Sequence, residues 1–181
     1  MNSTNAIQTV TRWDAANPDH TFERFPETAH RIRFQDCDPF GHLHNTRYLD
    51  YFINAREEHL RHCYGLDIFA ERYKRRNWVV RSSMESHYAP AFVNDMVRIR
   101  TSMLHQTRSS IQIEGVMLAP DGERILAVSR VEFRYFDVTT GRPVRHEEDL
   151  MDLFRRVSRE TPYDFGDTPV SLAPAAESVQ A

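Results

Sequence analysis

This 181-residue sequence predicts an α+β domain with an antiparallel sheet, on three observations. Apolar residues recur with a helical period from Thr46 to Tyr64. From Trp78 onward the period becomes two, through four successive stretches. The last two stretches are joined by Pro120-Asp121-Gly122, a tight turn that suits antiparallel pairing. One long helix followed by a run of strands segregates the two element types, and about five strands are enough to curl around the helix.

Residues 1–27 are polar and aperiodic, with Asn17-Pro18-Asp19 as a turn signal, and read as an N-terminal extension. Trp13, Phe22 and Phe25 are available there to pack on the body or on a neighbouring subunit. The domain proper is expected over 28–160, opening with a strand at 29–35. On the long helix, Leu49, Phe52, Ile53, Leu60, Cys63 and Tyr64 share one face, with Arg56 in its middle. A charge in that position needs a partner, and Asp36 or Asp38 can supply it. Gly65 ends the helix as a residue of left-handed conformation would. A second short helix is expected over Asp67–Arg76. Strands follow at Trp78–Tyr88, Asp95–His105, Ser110–Leu118 and Arg124–Phe136, each with one apolar and one polar face. Asp137 to Pro143 is a turn and Glu147–Val157 a short amphipathic helix. Residues 161–181, with three prolines and many small residues, read as a flexible tail.

Composition narrows the function. Hydrophobic residues at 40% and aromatics at 11% support a real core in one domain. A net charge of -3 creates no field for nucleic acid. The exception is the cluster Arg72-Tyr73-Lys74-Arg75-Arg76, a solvated helix end or, more sharply, a contact for phosphates. Two cysteines, Cys37 and Cys63, make no disulfide framework and fit a reducing compartment. No run is long enough to span a membrane and no signal pattern opens the chain, so a cytoplasmic protein is expected.

The chemistry concentrates in Arg33 to Asp50, which reads as a strand end, a tight loop and a helix start. Asp36, Asp38, His42 and His44 crowd this loop, with Pro39 and Gly41 shaping it. Asn45 stands where a helix N-cap belongs. A helix N-terminus carries free N–H groups and positive potential, which suits an oxyanion. Gly41 and the N–H groups of His42, Leu43, His44, Asn45 and Thr46 are the candidate donors. Cys37, between two acids, is a poor thiolate. The two aspartates and two histidines can also be read as metal ligands, but no second cluster completes such a site, and no metal is expected.

The pattern Asp-x-Asp-x-x-Gly-His-x-x-Asn-x-x-Tyr followed by Ala-Arg is met by Asp36, Asp38, Gly41, His42, Asn45, Tyr48, Ala55 and Arg56. With Tyr88-Ala89-Pro90 and Asp95 downstream, it resembles the hotdog-fold acyl-CoA thioesterases of the 4-hydroxybenzoyl-CoA thioesterase type, over roughly residues 28–145. The resemblance implies a long central helix wrapped by a curled antiparallel sheet, and dimers, often paired into tetramers, with the site at the dimer interface. It also implies hydrolysis of an acyl-CoA thioester, with Asp38 as general base or nucleophile. His42 orients water or substrate, and Gly41, Leu43, His44 and Asn45 hold the carbonyl or substrate. Asp36 and Arg56 give structural support, and Glu57 and Glu58 point to solvent. Coenzyme A enters as part of the substrate, and no separate cofactor is expected. A hotdog enoyl-CoA hydratase or dehydratase, or an acyl-CoA-binding module without turnover, are the competing readings. Thiol release, a change in enoyl absorbance, or binding alone distinguishes the three.

Overall fold

The computed structural model describes residues 22–159. The tail expected at 161–181, Trp13 and most of the N-terminal extension lie outside these residues. Phe22, at the extension's end, packs edge-on against Tyr64 with 6.1 Å between ring centres. The Tyr64 hydroxyl donates to the carbonyl of Glu23 at 2.7 Å.

Six strands form one antiparallel sheet: β1 (Glu27–Arg31), β2 (Arg76–His87), β3 (Met96–Gln106), β4 (Ser110–Leu118), β5 (Ile125–Asp137) and the short β6 (Arg142–Pro143). The order is β1-β3-β4-β5-β2, with β6 paired to the end of β5. Helix α1 (Tyr48–Tyr64) packs across β1, β3, β4 and β5, and α2 (Glu148–Val157) packs against β3. The sheet curls around α1, which is the hotdog arrangement.

Period-two patterning explains the sheet. On β4, Ile111, Ile113 and Met117 face the helix, and their partners Phe133, Val131 and Ala127 on β5 face the same way. Helix and sheet approach closely at Gly115, where an added Cβ would lie 2.5 Å from Cδ1 of Phe52. The core divides along α1. One cluster surrounds its N-terminal half with Ile32, Leu43, Tyr48, Phe52 and Val97. The other surrounds its C-terminal half and α2 with Tyr64, Phe133, Leu150 and Phe154.

The helix stops at Gly65, in the left-handed region at φ 61°, and Leu66 N–H donates back to Leu60 at 2.9 Å. Two expectations are corrected. Asp67–Arg76 is not a helix: it holds one 3-10 turn at Glu71–Tyr73, and Arg76 already belongs to β2. Its charges serve long-range pairs instead, Arg72 with Asp149 at 2.8 Å, Arg75 with Asp137 at 3.0 Å and Arg76 with Glu147 at 3.2 Å. The first strand is shorter and earlier than 29–35, because a 3-10 turn at Phe34–Asp36 takes over.

Candidate active site

The loop between β1 and α1 is built by hydrogen bonds to itself. Asp38 N–H donates to the His42 carbonyl at 2.8 Å, and Gly41 N–H to the Asp38 carbonyl at 3.0 Å. Pro39 occupies the second position of the turn that results, and Gly41 adopts φ 78°, a conformation costly for any residue with a side chain. The Asp38 carboxylate completes the turn. Its Oδ1 accepts from Phe40 N–H at 2.9 Å and from His42 N–H at 3.0 Å. Its Oδ2 takes no hydrogen bond from the described residues.

A second segment, between β2 and β3, locks against this loop. Leu43 N–H donates to Ala91 at 2.8 Å, Val93 N–H to Gly41 at 2.9 Å and Asn94 N–H to Ile32 at 2.9 Å. Asp95 braces that segment by accepting from Phe92 N–H at 2.9 Å. Between the segments lies a cleft of about 280 Å³, lined by Asp38, His42, Leu43, Asn45, Tyr48 and the stretch His87 to Pro90. The fold therefore brings the two sequence patterns, some fifty residues apart, onto one cleft.

Of the residues expected there, Asp38, His42, Leu43 and Asn45 line it, and Gly41 and His44 do not. Gly41 shapes the turn behind Asp38. His44, not Asn45, caps the helical turn Asn45–Arg47 that leads into α1. Its Nδ1 lies 2.9 Å from Thr46 Oγ1 and accepts from Thr46 N–H at 3.3 Å. The set of candidate oxyanion donors also narrows. The N–H groups of Gly41, His42, Leu43 and His44 are all committed to acceptors within the two segments. Asn45 N–H has no acceptor among the described residues, and its side chain is exposed on the cleft.

Aromatic rings shape the walls. His42 meets Phe92 edge-on, with centres 4.9 Å apart, and its nitrogens make no hydrogen bond to the described residues. Tyr48 meets His87 with centres 4.5 Å apart. Burial, with Asp38 nearby, pushes the Tyr48 phenol up, so it stays a neutral hydroxyl. Tyr48 and Tyr88 stand within the quoted motifs, whereas His87 was missed, and its only signal was its place next to Tyr88-Ala89-Pro90.

The pairing of Arg56 with Asp36 or Asp38 is not formed. Asp36 instead accepts from the Tyr51 hydroxyl at 2.8 Å, and that hydroxyl accepts from Arg33 N–H at 3.0 Å. Arg56 is half-buried and lies instead over the face of Phe133, its guanidinium carbon 4.2 Å from the ring centre. Glu57 pairs with Arg61 at 3.0 Å on the helix surface. Among the described residues, no group of three or more His, Cys, Asp or Glu side chains is arranged to hold a metal ion. None of their helices is long and apolar enough to cross a membrane.

The profile of the Thioesterase-like superfamily matches residues 32–154, most of the chain and both segments of the cleft. The chain belongs to this family. Within the superfamily, its sequence is 31% identical over 83 residues to an acyl-CoA thioester hydrolase, YbgC, of Escherichia coli. That stretch is 45% of this chain and 60% of the relative, so the match spans somewhat over half of the curated protein's length. Its fold is similar to that of a probable thioesterase from Bartonella henselae, with TM-score 0.59, 25% identity, 68% of this chain and 99% of that one. A thioesterase from Thermus thermophilus complexed with coenzyme A and Zn has the same fold, with TM-score 0.60, 22% identity, 72% of this chain and 92% of that one.

Proposed function

We propose that the protein hydrolyses an acyl-CoA thioester, and that Asp38 is its catalytic carboxylate. The observation that carries this reading is the division of labour on that side chain. Oδ1 is spent on two loop N–H groups, and Oδ2 is left free on a cleft that reaches the start of α1. Family membership and the coenzyme A bound to the Thermus protein support the substrate class.

In this reading the thioester carbonyl lies against Asn45 N–H, where the helix terminus favours the charge that develops on oxygen. Asp38 Oδ2 takes a proton from water as the water oxygen attacks the carbonyl carbon, or attacks that carbon itself and is released by water later. Either way the C–S bond breaks, coenzyme A leaves as the thiol, and the acyl group leaves as the acid. His42, with both ring nitrogens free of partners among the described residues, orients the water or the carbonyl. The rings of Tyr48, His87 and Tyr88 flank the thioester.

A homodimer or homotetramer belongs to the same proposal. Strand β2 is 12 residues long and, among the described residues, pairs on one side only, with β5. Val79 and Val80 on it are 44% and 49% exposed. An open edge of that length invites another strand, and β2 ends at His87, on the cleft. Light scattering should give a dimer or tetramer, and a stable monomer at micromolar concentration would remove this part.

The chemistry is tested by Asp38→Asn. The amide oxygen keeps both loop hydrogen bonds, so the loop survives while the base is lost. Turnover, followed as thiol release from the best acyl-CoA of a panel, should fall at least about a hundredfold with a much smaller change in KM. Near wild-type turnover would refute the assignment. An enoyl absorbance change without thiol release would replace hydrolysis with hydration chemistry.

A further inference from the structure

The second wall of the cleft carries a protonatable side chain to which the proposed chemistry gives no step. Asp38, His42, Leu43 and Asn45 make the first wall, and the stretch His87 to Pro90 makes the second. His87 closes the ladder of β2, paired with Ala127 of β5. Just beyond it, Tyr88 N–H and Ala89 N–H both donate to the Leu126 carbonyl, at 2.8 and 3.2 Å. The backbone that carries His87 is therefore pinned to the sheet.

The ring of His87 is exposed and meets that of Tyr48 edge-on, with centres 4.5 Å apart. Tyr48 is itself buried, and its hydroxyl accepts from Ala91 N–H at 3.4 Å. A fixed aromatic ring thus steadies the imidazole at the cleft. Neither nitrogen of His87 has a hydrogen-bond partner among the described residues, so both are free to meet a substrate.

On the hydrolytic reading above, we infer that His87 is the acid that protonates the departing sulfur. Hydrolysis needs groups for three events at one carbon: deprotonation of water, charge on the carbonyl oxygen and departure of sulfur. Asp38 Oδ2 and Asn45 N–H serve the first two, and both belong to the first wall. A tetrahedral centre that presents water and oxyanion to one wall turns its sulfur and acyl chain toward the other. There, His87 and Tyr88 carry exchangeable protons, and an imidazolium yields its proton more readily than a phenol. As the C–S bond breaks, its electron pair stays on sulfur and takes the proton of His87. Asp38 meanwhile holds the proton from water. After thiol and acid leave, Asp38 returns its proton to solvent and His87 takes one up, so no other reactant enters.

The test is the acidity of the leaving thiol. An aryl thiolate departs unaided, whereas an alkyl thiolate such as that of coenzyme A gains from a proton. His87→Gln should lower kcat on the best acyl-CoA at least about tenfold, with little change in KM. On the aryl thioester of the same acyl group the loss should be less than about threefold. His42→Ala and Asp38→Asn should lose equally on both substrates, since neither acts at sulfur. Equal losses for His87→Gln on both would make it a wall residue only and overturn the inference. A rise in KM at unchanged kcat, or a leaving-group dependence in His42→Ala instead, would overturn it too. Should the aryl thioester not be taken, the split between kcat and KM on acyl-CoA decides. A wild type that releases no thiol sinks the hydrolytic reading and this step with it. Full turnover by Asp38→Asn, with His87→Gln still sensitive to the leaving thiol, would remove the Asp38 assignment alone.

Discussion

The two ends of α1 use the same kinds of residue to opposite effect. At the N-terminal end, Asp38 Oδ2, both His42 nitrogens and Asn45 N–H have no protein partner among the described residues and face an open cleft. At the C-terminal end, His59 is held between two threonines and Tyr64 is tied to Glu23, inside a packed cluster. The number of polar side chains does not separate the ends. What separates them is how many are left unsatisfied within reach of solvent. A helix start leaves N–H groups over, whereas the left-handed residue at Gly65 lets this helix end consume its own carbonyls.

The sharpest way to break this comparison is Asp38→Asn. Beyond its hundredfold effect on turnover, it should move the melting temperature by no more than about a degree, since the loop keeps its acceptor. Thermal scans of the purified variant check this, and a large drop would mean that Oδ2 is structural too.

The closed end should announce itself in pH. His59 has its pKa lowered to about 4, first by burial and then by His30 and His62, with Glu27 opposing. Its unfolded pKa is near 6.5, so below that value the unfolded chain takes a proton that the folded chain refuses. Stability should be flat above about pH 6.5 and fall on the order of 2 kcal/mol between pH 6.5 and 4. His30 and His146, also lowered by burial, add to the slope. Urea titrations over this range should show a shallower slope for His59→Gln.

The seam between the two ends is Gly115. In Gly115→Ala the new methyl meets Phe52 at 2.5 Å, and overpacking of this kind costs about 2 kcal/mol. Adding Phe52→Leu should recover part of that loss in a double-mutant cycle. Strict additivity would mean that helix and sheet are not in contact there.

The smallest expected effect belongs to Tyr51→Phe. It removes the donor to Asp36 and the acceptor for Arg33 N–H, a loss of about 1–2 kcal/mol by chemical denaturation. Turnover should fall less than tenfold, because Asp36 lies behind the cleft and not on it.

The strands were legible because each half-buried strand shows period two to anyone reading along it, and β4 begins and ends where the pattern does. The stretch 67–76 was not, because its charges answer acids 62 to 77 residues away, which no local pattern carries. Arg56 misled in the same way. The acids that seemed able to pair with it are placed elsewhere, Asp36 against the Tyr51 hydroxyl and Asp38 facing the cleft with one oxygen held by its own turn. The cap was misplaced by one residue because a neutral imidazole nitrogen accepts an N–H as Asn would. In the cleft, Asp38, His42, Leu43 and Asn45 were readable from the first motif. His87 was not, since a histidine ending a strand has no signature until the fold sets it against Tyr48.

The stitching of the cleft also bears on how the chain folds. Leu43 to Ala91, Val93 to Gly41 and Asn94 to Ile32 join segments some fifty residues apart. None of these bonds can form until β1 has found β3 and α1 is seated against the sheet. Contacts of such sequence separation are made late and slowly. Activity in a refolding chain should therefore lag behind recovery of helix and strand signal, returning only with the slowest phase, and a partly folded chain would carry every residue of the site without having a site.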